Sequence, residues 1–99
     1  MISVEELREE RGNKCENGCG RQGTQRHHVF FGKQKGHPEY DHEYNLCLVC
    51  SVCHIDRPVV NGRKFREWFW KVQVERYGQD FIDWYESVPT KTRKEHYEN

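Results

Sequence analysis

Apolar positions along this chain are sparse and grouped, and their spacing changes from one group to the next. Ser3-Val4-Glu5-Glu6 has the pattern in which a hydroxyl caps the first helical turn and the acid three residues on reaches back, and Gly12 stands where such a helix would stop. A short helix is therefore predicted over about residues 4–11. Gly18, Gly20 and Gly23, set among polar residues between about 13 and 25, predict a turn-rich knuckle. Val29, Phe30 and Phe31 are strand formers closed by Gly32, which places a strand near 26–31. From Lys33 to Glu43 the chain is polar, with Gly36 and Pro38, and reads as a long loop before the apolar pattern resumes at Tyr44-Asn45-Leu46.

Beyond Ser51, a cap residue, a short helix is expected towards Arg57, closed by Pro58. Asn61 is placed as cap of the next helix, whose apolar line Phe65, Trp68, Phe69 and Val72 falls at i, i+3, i+4 and i+7 and ends at Gly78. This stripe reads as core rather than as a base-stacking surface. Asp80 would cap a last helix carrying Phe81, Ile82, Trp84 and Tyr85, followed by a polar, loosely ordered tail from Pro89 to Asn99. Together these elements predict a single α+β domain over residues 1–99, with no linker and no repeat.

Composition sharpens this picture. Only 34% of the residues are hydrophobic, so the core is thin, and a chain of this size usually needs a staple. The five cysteines are the candidates. Their odd number and the acidic start without an apolar stretch argue against a secreted disulfide scaffold, and no run approaches the length of a membrane span. A cytoplasmic protein with reduced thiols is expected. The net charge is zero, yet between Gly20 and Pro38 the only formal charges are Arg21, Arg26, Lys33 and Lys35, so one surface can be locally basic.

Cys15-x3-Cys19 and Cys50-x2-Cys53 form two tight pairs, and four thiolates in two knuckles are what tetrahedral structural zinc takes. Cys47-x2-Cys50 has knuckle spacing as well. Cys50 and Cys53 are preferred because they leave Cys47 in the extended segment leading in, as a small buried hydrophobe. Zinc in such a site is worth on the order of 10 kcal/mol, enough to offset a thin core.

Between and beside the knuckles lie His27-His28-Val29, Asn45-Leu46 and Cys50-x2-Cys53-His54. On these residues the chain resembles the HNH endonucleases of the ββα-metal class, particularly small zinc-knuckle members of phage and prophage origin. The likeness covers about residues 15–57 and implies a zinc-stabilised ββα-metal core at about 26–57, flanked by the N-terminal helix and by C-terminal helices over about 61–87. It makes His27 and His54 ligands of one catalytic divalent metal, His28 the general base and Asn45 the residue that fixes the backbone beside it. An imidazole suits a base because it titrates near neutral pH. Many members carry Asp where His27 stands, and some a further His where Pro58 stands here. Two imidazoles suit Mn²⁺, Ni²⁺ or Zn²⁺ better than Mg²⁺.

The implied reaction is hydrolysis of a DNA phosphodiester, leaving 5′-phosphate and 3′-hydroxyl ends. Arg21, Arg26, Lys33, Lys35, Arg57, Arg63 and Lys64 are assigned to backbone phosphates. The expected partner is DNA, without a membrane, and the chain is read as a monomer. The chief rival is a non-catalytic zinc module that binds nucleic acid or protein, and a third reading is a structural subunit docking on a larger phage or repair assembly.

Overall fold

The computed structural model describes residues 1–32, 38–56 and 60–88. Helix α1 spans Val4–Arg11, strand β1 Gln25–His28 and β2 Leu46–Val49; α2 is Ser51–Ile55, α3 Arg63–Tyr77 and α4 Gln79–Ser87. Between the strands lie two 3₁₀ turns, Pro38–Asp41 and Glu43–Asn45. The architecture is α+β, built on one antiparallel pair in which Gln25, Arg26, His27 and His28 face Val49, Leu48, Cys47 and Leu46. Among the described residues no helix is long and apolar enough to cross a membrane.

Strand β2 is buried on both faces, and the alternation of its side chains divides the interior in two. Leu46 and Leu48 meet Leu7 of α1, with Ile2 and Val4 at the margin. Cys47 and Val49 belong to the larger cluster built from Phe30, Phe31, Phe69, Phe81 and Tyr85. Helix α1 begins as its sequence predicts: Ser3 Oγ accepts from the Glu6 amide at 3.1 Å while Glu6 Oε1 accepts from the Ser3 amide at 3.1 Å. It then locks onto the hairpin through Arg11, whose side chain is fully buried and bonds Glu16, the carbonyls of Leu46 and Glu43, and Tyr77. Gly23 passes so close to Leu48 that a Cβ there would lie 2.4 Å from Leu48 Cγ.

Several sequence expectations are corrected. Strand β1 ends at His28, not at residue 31, because Asn45 takes over the amides of the next residues and turns Phe30 and Phe31 into the aromatic core. The stretch expected as loop before Asn45 contains the two 3₁₀ turns, held by packing of Tyr40 on Phe31, with ring centroids 5.1 Å apart. The cap of α2 is Cys50, not Ser51: Cys50 Sγ accepts from the Cys53 amide at 3.4 Å. Gly62, not Asn61, precedes α3 without a side-chain cap, and the Asn61 carbonyl accepts from Arg66 instead. Gly78, at φ 63°, reverses the chain between α3 and α4, so Asp80 sits in the first turn of α4 rather than before it. On α3 the buried line is Phe65, Phe69 and Gln73, which leaves Trp68 exposed and Val72 half-buried. Gln73 is tolerated in the core because its amide donates to the carbonyls of Tyr44 (3.0 Å) and Glu43 (3.3 Å) and its Oε1 accepts from Arg76 (3.0 Å). The end of the short helix at Arg57 and Pro58, and the tail from Pro89, lie outside the described residues.

Candidate metal centres

Cys15 and Cys19 belong to the turn that follows α1. The Cys15 amide donates to the Arg21 carbonyl at 2.8 Å and the Gly18 amide to the Cys15 carbonyl at 3.1 Å, a closed loop that needs Gly18 and Gly20 at positive φ (78° and 84°). Glu16, between the two cysteines, fastens the loop to β2: its amide donates to the Leu48 carbonyl (2.8 Å), and its carboxylate accepts from the Leu48 amide (2.6 Å) and from Arg76. Cys50 closes β2 and Cys53 lies one turn into α2. The fold thus carries two knuckles, 31 residues apart at their facing cysteines, to the same point.

There the four sulfurs of Cys15, Cys19, Cys50 and Cys53 all lie within 4.8 Å of one another, the one group of three or more such ligands among the described residues. Cys19 and Cys50 are 3.4 Å apart and all the cysteines are free thiols. A tetrahedral zinc with bonds of about 2.3 Å separates its sulfurs by about 3.8 Å, so the cluster has the size and the soft donors that the ion requires. Cys47 stands outside it, fully buried on β2, with burial pushing its thiol well above the ordinary value.

Without a cation, four sulfurs this close cannot all be thiolates. The Arg21 backbone amide, followed by Cys50, pulls the exposed Cys19 down to about 6. At Cys53 the Asn17 amide lowers the value, but burial and the other three sulfurs outweigh it and push the thiol up to about 12. Burial also raises Cys15. Cys19 gives up its proton easily while Cys15 and Cys53 hold theirs, a conflict that a dication at the centre removes.

The histidines are placed by the hairpin and by α2. His27 and His28, adjacent on β1, leave it on opposite faces. His27 is buried; its Nε2 lies 3.1 Å from the Val60 carbonyl and its ring meets that of His54 edge to face, centroids 5.6 Å apart at 80°. Burial lowers the His27 value, partly offset by the Val60 carbonyl and by Asn61, and the nearby His54 and His28 lower it further. The ring is therefore neutral at neutral pH, the form in which imidazole binds metal. His54 is exposed on α2, directly after Cys53. His28 turns instead to Asp41, with Nε2 2.8 Å from Oδ1. Asn45 is fully buried: Oδ1 accepts from the amides of Phe30 (2.8 Å) and Phe31 (3.2 Å), and Nδ2 donates to the carbonyls of Phe31 and Tyr40 (both 2.8 Å). Its own carbonyl accepts from the Val29 amide at 2.9 Å, immediately after His28.

Of the residues assigned to phosphates, Arg63 and Lys64 are exposed at the start of α3, with Arg63 paired to Glu67 at 3.2 Å. Arg21 is exposed beside Cys19, which holds its guanidinium charge in place, and Arg26 donates to the Ile2 carbonyl at 2.8 Å. Lys33, Lys35 and Arg57 lie outside the described residues. Three contributors were missed by sequence reasoning: Asp41, within a polar stretch lacking any period; Asn17, whose amide donates to Cys53 Sγ at 3.4 Å; and Val60, which acts through its carbonyl. Only Asn17 offers a hint, as the residue before glycine inside a cysteine knuckle.

No family model matches the chain, and no curated protein and no solved structure matches it either.

Proposed function

We propose that this protein is a metal-dependent endonuclease of HNH type, in which a Cys15, Cys19, Cys50 and Cys53 zinc holds the fold, His27 and His54 bind one divalent cation, and His28 is the general base. The observation that carries the reading is the meeting of His27 and His54 at 5.6 Å beside the strand end that bears His28. Two imidazoles on one ion, with metal–nitrogen bonds of about 2.1 Å, hold their ring centres roughly 5 Å apart. The donation of Nε2–H to the Val60 carbonyl gives His27 the outer partner that metal-bound histidines commonly have, and it leaves Nδ1 as the ligand nitrogen. The order hairpin then helix, with the knuckle cysteines at the seam, supports a ββα-metal core.

In this reading His27 and His54 leave most of the coordination sphere to water and substrate. The bound cation supplies charge neutralisation on the scissile phosphate and the departing 3′-oxygen. His28 takes the proton of the attacking water. Arg63 and Lys64 position backbone phosphates without reading sequence. One observation favours the rival reading of a zinc module without catalysis: the four cysteines are a complete ligand set, whereas the histidine pair brings two ligands.

Plasmid cleavage separates the two. With zinc-loaded protein and Mn²⁺, Ni²⁺, Zn²⁺ or Mg²⁺ supplied in turn, supercoiled DNA should be cut. His28→Ala should keep zinc, second metal and DNA affinity but lose cutting by the ~10²–10⁴ of general-base catalysis. His54→Ala should lose second metal and cutting together while the zinc survives. A His28→Ala variant that cuts as fast as the wild type under metal saturation ends the nuclease reading.

A further inference from the structure

The least expected contact in the candidate site is the one between His28 and Asp41, 13 residues apart and 2.8 Å from nitrogen to oxygen. Both ends are held by rigid parts of the fold. His28 is the last rung of the hairpin, opposite Leu46, and its ring is mostly buried. Asp41 ends the 3₁₀ turn Pro38–Asp41, directly after Tyr40. Tyr40 is stacked on Phe31 and gives its carbonyl to Asn45 Nδ2, so the turn is clamped on its side chain and on its backbone. A surface ion pair between two free side chains would be worth little. Here neither partner has far to drift, and the contact fixes the direction of the ring.

We propose that Asp41 is the positioning residue of the His28 base: its carboxylate accepts Nε2–H, selects that tautomer, and leaves Nδ1 as the nitrogen that takes the proton of the attacking water. This rests on the nuclease reading above. A carboxylate can only accept, so the proton of the neutral ring must sit on Nε2. Asp41 also lines a hollow of about 470 Å³ with Glu6, Glu43, His42 and the N-terminal Met1, and its three acidic residues outnumber the one terminal amine, which disfavours phosphate there. Substrate therefore approaches the ring from its Nδ1 side. As the water oxygen bonds to phosphorus, its proton passes to Nδ1. The bond from phosphorus to the 3′-oxygen breaks with its electron pair on that oxygen, which takes a proton from solvent. The imidazolium so formed keeps its Nε2–H on the Asp41 carboxylate until it returns the Nδ1 proton to water.

Three variants of the full zinc-loaded chain test this: Asp41→Ala, Asp41→Asn and Asp41→Glu. Long-range ¹H–¹⁵N spectra of His28, recorded without DNA or added second metal at a pH where the ring is neutral, should show the Nε2–H tautomer in the wild type and a mixture in Asp41→Ala. In plasmid cleavage at saturating metal, Asp41→Ala should lose roughly 10²-fold. Asp41→Asn should lose at least as much, because its amide can turn and donate to Nε2, fixing the tautomer whose Nδ1 is no base. Asp41→Glu should recover part of the rate. A merely structural role predicts the reverse order, with the isosteric asparagine the mildest change. The proposal is overturned if the wild-type ring carries its proton on Nδ1, if Asp41→Ala cuts at the wild-type rate, or if Asp41→Ala weakens Mn²⁺ binding, which would make Asp41 a ligand. The wild-type spectrum decides the tautomer even if a variant does not fold. A fixed Nε2–H tautomer in a wild-type protein that cuts no DNA with any metal would instead overturn the nuclease reading, and the catalytic role of Asp41 with it.

Discussion

Replacing Asn45 should remove a large part of the stability of this fold, because one buried amide serves several backbone groups at once. Asn45→Ala removes four hydrogen bonds of 2.8–3.2 Å, made by a fully buried side chain to the amides of Phe30 and Phe31 and the carbonyls of Phe31 and Tyr40. A hydrogen bond contributes about 0.5–1.5 kcal/mol net, which bounds the sum between about 2 and 6 kcal/mol. The middle of that range, about 4 kcal/mol, is the expected loss. A domain of this size has about 5–15 kcal/mol in all, so the variant should be close to unfolded at room temperature. Asn45→Asp sharpens the test: it keeps the acceptor for Phe30 and Phe31 but sets an oxygen against the carbonyls of Phe31 and Tyr40. At neutral pH it should be at least as damaging, and it should recover as acid protonates the carboxyl and restores one donor. Urea unfolding of the zinc-loaded chains at pH 7 and pH 5, with hydrogen exchange at the Phe30 and Phe31 amides, measures both effects. A loss below 1 kcal/mol for Asn45→Ala would show that the four bonds do not hold the loop.

Gly23→Ala should cost about 1–3 kcal/mol by overpacking, because its Cβ falls 2.4 Å from Cγ of the buried Leu48; a neutral urea midpoint would refute the close approach. Mass spectrometry under native conditions should find one zinc per chain, lost in Cys15→Ser and Cys53→Ser and retained in Cys47→Ser; release of zinc by Cys47→Ser alone would show that the ligand set is wrong. Acid should weaken the fold through His27. Burial lowers its value in the folded state, so below the ordinary imidazole range the unfolded chain takes up a proton that the folded one refuses, and the stability present above that range is lost as pH falls towards the folded value. Urea midpoints of the wild type should therefore drop more than those of His27→Gln between pH 7.5 and 5.5, and equal drops would show that His27 does not titrate against folding.

What the sequence disclosed follows the range over which each signal acts. The capping box of α1 is local chemistry among Ser3 and Glu6, and it appears as written. The cysteine knuckles are also local, because ligand spacing within each pair is fixed by one turn of chain, and zinc valence supplies the rule that joins them. The boundaries failed where a tertiary contact outbid local preference. Val29-Phe30-Phe31 has strand propensity, but Asn45, 15 residues away from Phe30, claims the amides that a longer strand would have used. The stripe on α3 was displaced because the carbonyls of Tyr44 and Glu43 draw Gln73 inward, and no periodicity can announce an amide whose partners lie 29 and 30 residues away. Asp41 was invisible for the same reason.

The two clamps of the hairpin act at opposite ends, and their separation explains how a thin core can hold the candidate site. At one end the sulfur cluster joins the first knuckle to the end of β2 and the start of α2, which fixes Cys53 and, one residue on, His54. At the other end Asn45 ties the residues after β1 to the turn before β2, which fixes the approach of Asp41 to His28. His27, opposite Cys47 in the middle of the hairpin, lies between them and meets His54 across the inner face. In the proposed reaction the two ends are the cation side and the base side of the scissile phosphate, so the fold anchors each with a device of its own. The hydrophobic cluster of α3 and α4 supports both by burying Phe30 and Phe31 directly beneath the strand end that carries His28.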